Sequence, residues 1–363
     1  MNKIKILTIV GARPQFIKAS VVSAEMLKHP ALEEIIVHTG QHFDPVMSEV
    51  FFNQLHIPQP KYSLHINQLS HGAMTGRMME EIEKIILHEK PNFVMLYGDA
   101  NSTLAGALAA KKTNAKVVHI EAGLRSFNMK MPEEINRILT DRISDILFCP
   151  TEVAVENLHK EGFSNFDCLI ENSGDVMYDA CLFFKQYAVE LDVTLPENYA
   201  LATLHRPENT DVEENLRNIF ASLIEISQTL PVVIPLHPRT IQLIEKYNIN
   251  LSSANLMMLP PQSYLEMLHL LQHCRFLMTD SGGLQKEAYF LHKLCLTLRN
   301  ETEWVELCSQ KANVLVGNTK EGILAAYENI NQLAANACFD KEFYGKGNAA
   351  KKIIDTIETY HYN

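Results

Sequence analysis

The chain has 363 residues, 47% of them hydrophobic, and 43 acidic against 32 basic side chains leave a formal charge of −11. That length suits two domains of ordinary size, each able to bury its own core, and the acidic balance excludes a protein that binds nucleic acid by broad phosphate neutralisation. The seven cysteines form no CxxC pair and read as reduced, packed thiols; no apolar run nears the ~20 residues of a membrane span. A cytoplasmic protein with neither a nucleic-acid nor a membrane partner is expected.

The first strand is expected over 6–10, followed by the turn Gly11-Ala12-Arg13 and a helix opened by Pro14. Further β-branched runs at 35–39, 93–97, 117–120 and 146–148 alternate with stretches of helical period, the rhythm of parallel strands joined by crossover helices. Past the stretch Leu195-Pro196-Glu197-Asn198 the rhythm restarts, with strands expected over 200–203, 232–234, 256–259, 276–278 and 295–298. Two doubly wound α/β sheets in tandem follow, and a last helix near 348–360 must pack on one of them.

The notable polar residues cluster just past strand ends, where open parallel sheets place their ligands. Gly11-Ala12-Arg13 follows the first strand, Gly98-Asp99 the third, Glu121-Ala122-Gly123 the fourth, His205-Arg206 the first of the second half, His237 its second, and Asp280-Ser281-Gly282-Gly283 a later one. Two glycines at a helix start let backbone N–H groups approach an anion. A capped helix start is the plainer reading of the same four residues. The segment from Gly11 to Lys18 has neither GxGxxG nor Walker spacing, so no dinucleotide or P-loop site is expected. Asp99, Glu121 and Glu133 are three acids converging on one region, costly to keep without a function. His205 and His237, each near an arginine, suit anion handling. No HxxxH or HExxH spacing is expected on a helix and the cysteines are far apart in sequence, so no metal site is expected.

These strings together resemble the non-hydrolysing UDP-N-acetylglucosamine 2-epimerases over essentially the whole chain: GARPQFIK at 11–18, GQH at 40–42, GD at 98–99, HIEAGLRS at 119–126, PEEINR at 132–137, SGD at 173–175, LHRPEN at 204–209, LHPR at 236–239, TDSGGLQKE at 279–287 and LRNETEW at 298–304. The resemblance implies GT-B architecture, two Rossmann-like domains with the active site in the cleft between them, divided as 1–176 plus 349–363 and 177–348. It implies interconversion of UDP-GlcNAc and UDP-ManNAc, for surface polysaccharide synthesis, by anti elimination of UDP to 2-acetamidoglucal and re-addition from the opposite face. No cofactor is implied, and homodimers are typical. Proton removal and delivery on two faces needs two acid/base groups, and a departing diphosphate needs fixed positive charge.

By motif, Asp99, Glu121 and Glu133 match the family's catalytic carboxylates and His205 its catalytic histidine. Arg13, Lys18, Arg206, His237, Ser281, Gly282, Gly283 and Arg299 match residues around the nucleotide phosphates, and Glu287 an acceptor for the ribose hydroxyls. Departures are Gln15 where many members have Glu, and Pro207 where a second Arg often stands. Of an activator site that binds a second UDP-GlcNAc, Gln41 and His42 are retained and Arg77 is the candidate arginine, but Asp44 replaces a Gln. GARPQFIK, TEW and the segment 124–130 look more like the subgroup acting on UDP-2,3-diacetamido-2,3-dideoxyglucuronic acid, the alternative substrate, for whose carboxylate Lys130 is the candidate cation. A hydrolysing 2-epimerase, a GT-B glycosyltransferase and a UDP-sugar sensor are the rival readings.

Overall fold

The computed structural model describes residues 3–41, 58–251, 255–340 and 342–362. The chain forms two compact units, Met1–Ala180 with Glu342–Asn363, and Cys181–Lys341. These bounds lie a few residues from the division at 176 and 349 drawn from the sequence. Residues next to both crossings are tied together within the first unit: Asp175 N–H donates to the Tyr344 carbonyl at 3.0 Å, and the Asp179 carboxylate accepts from Ala350 N–H at 2.8 Å.

The first unit is built on strands β1 (Ile4–Val10), β2 (Leu32–His38), β3 (Tyr62–Ser63), β4 (Phe93–Tyr97), β5 (Lys116–Ile120), β6 (Ile146–Cys149) and β7 (Leu169–Asn172). They pair in parallel in the order β3-β2-β1-β4-β5-β6-β7, so the winding reverses between β1 and β4. Leu7, Ile9, Val94, Leu96 and Val117 are buried in one cluster with Met78, Ile82 and Ile86 of the helix His71–Glu89. Central strands covered on both faces carry such unbroken apolar runs. The helix Asn101–Lys112 lies close because its inner residues are small: a Cβ on Gly106 would stand 2.6 Å from Leu96 Cδ2 and 2.8 Å from Ile9 Cδ1. The last helix, Ala349–Tyr362, packs on Arg13–Met26 through a face that includes the fully buried Ile353, Ile354 and Ile357.

The second unit repeats the plan with β8 (Ala200–Thr203), β9 (Val232–Pro235), β10 (Leu256–Leu259), β11 (Phe276–Thr279), β12 (Cys295–Thr297) and β13 (Asn313–Leu315), ordered β10-β9-β8-β11-β12-β13. Its switch lies between β8 and β11. Leu216, Ile219, Phe220 and Leu223 of Glu213–Ser227, spaced at helical period, cover one face. Leu270 and Leu271 of the helix Tyr264–His273 pack with Leu201, Val233 and Leu277 of the strands on the other. Among the described residues no helix is long and apolar enough to cross a membrane.

One buried acid makes stability pH-dependent. Glu34 of β2 turns its carboxyl inward, where Thr8 Oγ1 donates to it at 2.5 Å and Ser23 Oγ at 3.0 Å. Burial outweighs both bonds and pushes its pKa up from 4.5 to about 7. A raised acid is neutral in both folded and unfolded chains below pH 4.5. From there to pH 7 only the unfolded chain ionises, and stability falls by about 3 kcal/mol at most. Glu34→Gln is expected to remove that slope: thermal unfolding from pH 5 to 8 should show wild type losing stability relative to the variant. Parallel curves would contradict the assignment.

Candidate active site

In the first unit the turn after β1 is fixed by Gln15. Its Oε1 accepts from the N–H groups of Gly11 and Ala12 at 2.8 and 2.9 Å, while Nε2 donates to the Tyr97 carbonyl at 2.8 Å and to Thr103 Oγ1 at 2.9 Å. An amide serves acceptors and donors at once, which an ionised carboxylate cannot, so Gln is matched to these neighbours. The turn launches the helix Arg13–Met26, with Arg13 half-buried and Lys18 buried one turn on.

Lys18 points to the turn after β5, where its ammonium forms a buried ion pair with Glu121. Glu121 adopts φ +73°, unusual for a residue with a side chain, and sparsely populated backbone of this kind concentrates at functional sites. The N–H groups of Glu121 and Ala122 both donate to the Phe148 carbonyl, at 3.1 and 3.0 Å. Gly98, at φ +61°, lies directly beneath: a Cβ there would stand 3.2 Å from Glu121 Oε2 and 3.4 Å from Lys18 Nζ. The next residue, Asp99, has a side chain 35% exposed that is ion-paired to Arg137. Asn136 Nδ2 donates to the Asp99 carbonyl at 2.9 Å. Asp99 with Arg137, and Glu121 with Lys18, therefore stand at the carboxyl ends of neighbouring strands.

Of the acids opening the helix Pro132–Ile143, Glu133 is exposed and Glu134 buried. Glu134 accepts from Ser126 N–H, Ser126 Oγ and Phe127 N–H, each at 2.9 Å, and so pins the loop after β5. Lys130, in that loop, is exposed. Gln41 Oε1 accepts from Ser102 N–H at 3.0 Å, Arg77 is exposed on its helix, and His42 lies outside the described residues.

Beneath the two turns lies a buried charge network that the sequence did not reveal. His119 of β5 donates from Nε2 to the Gly98 carbonyl and from Nδ1 to Asp141, both at 2.7 Å. The other Asp141 oxygen accepts from Gly123 N–H at 3.1 Å and from Arg125 at 2.7 Å. Burial alone would raise the Asp141 pKa, but bonds and charge from His119 and Arg125 outweigh it and hold the carboxyl below its ordinary range. Arg125 also pairs bidentately with Glu161 at 2.7 and 2.8 Å. The turns carrying Asp99 and Glu121 are thus fixed by one set of charge-assisted bonds.

In the second unit the corresponding centre is His205, after β8, with Asp280, after β11. The fully buried Asp280 accepts from His205 Nδ1 at 2.9 Å and from the N–H groups of His205 and Arg206 at 3.2 and 3.0 Å. Asn209 Nδ2 adds a bond at 3.2 Å. Burial would raise the Asp280 pKa; the His205 bond and charge, with the backbone donors, lower it on balance. An acid bonded to Nδ1 fixes ring orientation and leaves Nε2 for proton exchange. His205 itself is 55% exposed.

Ser281 caps the helix Gly282–Phe290 by accepting from Leu284 N–H at 3.5 Å. Glu303 reaches the first turn of that helix and pairs with Arg299 at 3.1 Å and Arg206 at 3.9 Å. Gly283 is exposed. Glu287 is buried one turn into the helix, and burial together with this acid pushes the Tyr264 phenol well up. His237 caps the helix Pro238–Lys246, its Nδ1 accepting from Arg239 N–H at 3.3 Å. Contrary to the expectation that no HxxxH spacing falls on a helix, His269 and His273 stand one turn apart on the helix Tyr264–His273, their ring centroids 4.3 Å from each other. Among the described residues no group of three or more His, Cys, Asp or Glu is arranged to hold a metal.

Comparison with known proteins agrees with these motifs. The profile of the family described as UDP-N-acetylglucosamine 2-epimerase matches residues 24–358. The chain is 54% identical to the UDP-2,3-diacetamido-2,3-dideoxy-D-glucuronate 2-epimerase of Pseudomonas aeruginosa, over 97% of this chain and 99% of that one. It is 41% identical to the UDP-N-acetylglucosamine 2-epimerase of Methanococcus maripaludis, over 97% and 98% of the two chains. Among solved structures, the UDP-GlcNAc 2-epimerase of Methanocaldococcus jannaschii in complex with UDP-GlcNAc and UDP superposes with a TM-score of 0.85 at 38% identity, covering 98% of this chain and 99% of that one. The chain belongs to the UDP-N-acetylglucosamine 2-epimerase family.

Proposed function

We propose that this protein interconverts a UDP-linked 2-acetamido sugar and its C2 epimer by eliminating and re-adding UDP, and that its preferred substrate is UDP-2,3-diacetamido-2,3-dideoxyglucuronic acid. The observation that carries the reaction class is the pair of carboxylates, Asp99 and Glu121, on adjacent strand-end turns, each held by a cation. The proton at C2 is not next to a carbonyl, so its removal must be coupled to loss of the C1 substituent. One carboxylate takes the C2 proton, the C–H electron pair becomes the C1–C2 double bond, and the C1–O pair leaves with UDP. Re-addition of UDP at C1 with protonation of C2 from the other face gives the epimer. Two faces require two acid/base groups, and Asp99, Glu121 and Glu133 are the three candidates.

For the departing diphosphate, His205 oriented by Asp280 supplies a proton or a charge-assisted bond. Arg13, Lys18, Arg206, His237, Arg299, Ser281, Gly282 and Gly283 supply further positive charge or N–H groups. Glu287 is assigned to the ribose hydroxyls. The reaction as written uses no nicotinamide and no metal. The same proposal includes a cytoplasmic homodimer that feeds surface-polysaccharide synthesis, with Gln41, His42 and Arg77 as candidates for a second UDP-sugar site.

The choice of sugar rests on the 54% identity to the diacetamido-glucuronate enzyme against 41% to a UDP-N-acetylglucosamine enzyme. UDP-GlcNAc is the second reading, favoured by the solved relative that holds it. Measuring kcat/KM for both sugar nucleotides decides between them: the uronate is expected to be the better substrate, and a higher value for UDP-GlcNAc would reverse the assignment. Lys130→Met is expected to lower kcat/KM for the uronate several-fold, the range of an exposed ion pair, and to leave UDP-GlcNAc unchanged. Equal losses would remove Lys130 as the carboxylate contact.

A further inference from the structure

The segment 301–304 folds back onto the first turn of the helix Gly282–Phe290 and is fastened there at several points. Trp304 Nε1 donates to the Gly282 carbonyl at 2.9 Å, Thr302 Oγ1 donates to Gln285 Oε1 at 2.7 Å, and Thr302 Oγ1 accepts from Trp304 N–H at 3.2 Å. The ammonium of Lys286, itself buried, lies over the Trp304 ring at 4.2 Å, a cation–π contact. With both flanking residues fastened, Glu303 has little choice of direction. A Cβ added to Gly282 would stand 2.5 Å from Glu303 Oε1. The carboxylate therefore rests against the first residue of the helix, at the end whose partial positive charge favours an anion.

Two guanidinium groups lie against this carboxylate, Arg299 at 3.1 Å and Arg206 at 3.9 Å. Both are largely withdrawn from solvent, with side chains 10% and 23% exposed, and Glu303 is 13% exposed. A shielded anion held by two arginines at a helix amino end presents the same chemistry as a bound phosphate group. Here the anion belongs to the protein.

We propose that Glu303 is an internal anion that competes with the substrate diphosphate for Arg206 and Arg299, so that binding transfers these guanidinium groups from the carboxylate to phosphate oxygens. The inference rests on the UDP-sugar reading for the identity of the ligand. Its physical content is wider, since any diphosphate entering here meets a resident negative charge. The competition makes diphosphate affinity lower than the arginines alone would give, and it returns the site to a neutralised state when the nucleotide sugar departs. A product that must leave after every turnover benefits from such a displacing group. Glu303 is thus a residue that tunes binding, and it takes no part in the proton transfers at C2.

The test is calorimetric titration of wild type and Glu303→Gln with UDP, inorganic pyrophosphate and uridine. The variant is isosteric, removes the charge and turns one acceptor oxygen into a donor. The expected result is UDP and pyrophosphate binding at least roughly threefold tighter to the variant, the scale of a partly shielded charge pair, with uridine unchanged. Equal or weaker binding of both phosphates to the variant would overturn the proposal and make Glu303 an orienting partner of the arginines. Tighter pyrophosphate binding with no binding of UDP to either protein would retain the competition and reject the UDP-sugar reading. A wild-type crystal structure with UDP gives an answer that does not depend on the variant folding. The Arg299–Glu303 contact should be broken and the guanidinium turned to the diphosphate, and persistence of the 3.1 Å contact beside bound UDP would contradict the competition.

Discussion

Asp99→Asn and Glu121→Gln are each expected to lower turnover by at least ~100-fold, the lower range for a positioned acid or base, with little loss of UDP affinity. Each amide keeps the size and one acceptor oxygen of the acid it replaces and loses the capacity to take a proton. The groups assigned to the diphosphate in the second unit are untouched by either change. The two variants should differ in stability. Asp99 is partly exposed and its loss costs little, whereas Glu121→Gln leaves the buried Lys18 ammonium facing a neutral amide. Removing one partner of a buried pair costs about 3–5 kcal/mol in comparable cases, so the Glu121 variant should unfold at the lower temperature. Steady-state rates, UDP titration and thermal unfolding check the three statements. Near-normal rates in both variants would overturn the assignment of these carboxylates.

Asp280→Asn is the second large effect, expected to reduce kcat about 100-fold with a smaller change in KM. The Asp280 carboxylate accepts from two backbone N–H groups, from Asn209 and from His205 Nδ1. An asparagine in that place turns one oxygen into a donor. If the donor faces the ring, His205 Nδ1 becomes the acceptor and the imidazole proton moves to Nε2, the nitrogen required for exchange; loss of the acid that fixes the histidine tautomer is costly in Ser-His-Asp triads. The pH dependence of stability follows from the depressed pKa of Asp280. Its stabilisation is fully present above the unfolded value of 3.8 and is lost as pH falls through the lower folded value. The stability difference between wild type and Asp280→Asn should therefore stay constant from pH 7 to about pH 4 and narrow below it. A gap that closes already between pH 7 and 5 would contradict the assignment of that carboxylate.

The sequence conveyed the central strands well because parallel strands buried on both faces must be apolar throughout. The expected runs 93–97 and 200–203 coincide with the central β4 and β8, and 256–259 with β10, an edge strand that nevertheless keeps the apolar run Leu256-Met257-Met258-Leu259. It did not convey β3, β7 and β13. These edge or near-edge strands are two to four residues long and partly exposed, so they carry little apolar pattern. At the site, residues next to glycine turns were visible because their spacing is local. The partners that hold them were not, since Arg137 reaches Asp99 across 38 positions and Asp280 reaches His205 across 75. Arg137 lies inside the string PEEINR, and its place four residues after Glu133 was the available signal. Asp280 stood in plain view within TDSGG, where a helix-cap reading hid its role toward the histidine. Of the network of His119, Asp141, Arg125 and Glu161, His119 and Arg125 stood inside HIEAGLRS, but Asp141 and Glu161 lie 16 and 36 positions from Arg125, so the string did not show their pairing.

The most direct test of the central claim is proton NMR of the purified protein with each UDP-sugar in D2O, with no cofactor added. Elimination and re-addition predicts deuterium at C2, a manno epimer that reverts to the gluco sugar, and UDP retained in the nucleotide sugar at equilibrium. Accumulation of free sugar beside UDP would instead identify a hydrolysing enzyme, and epimer formation with protium kept at C2 would contradict proton exchange through Asp99 and Glu121.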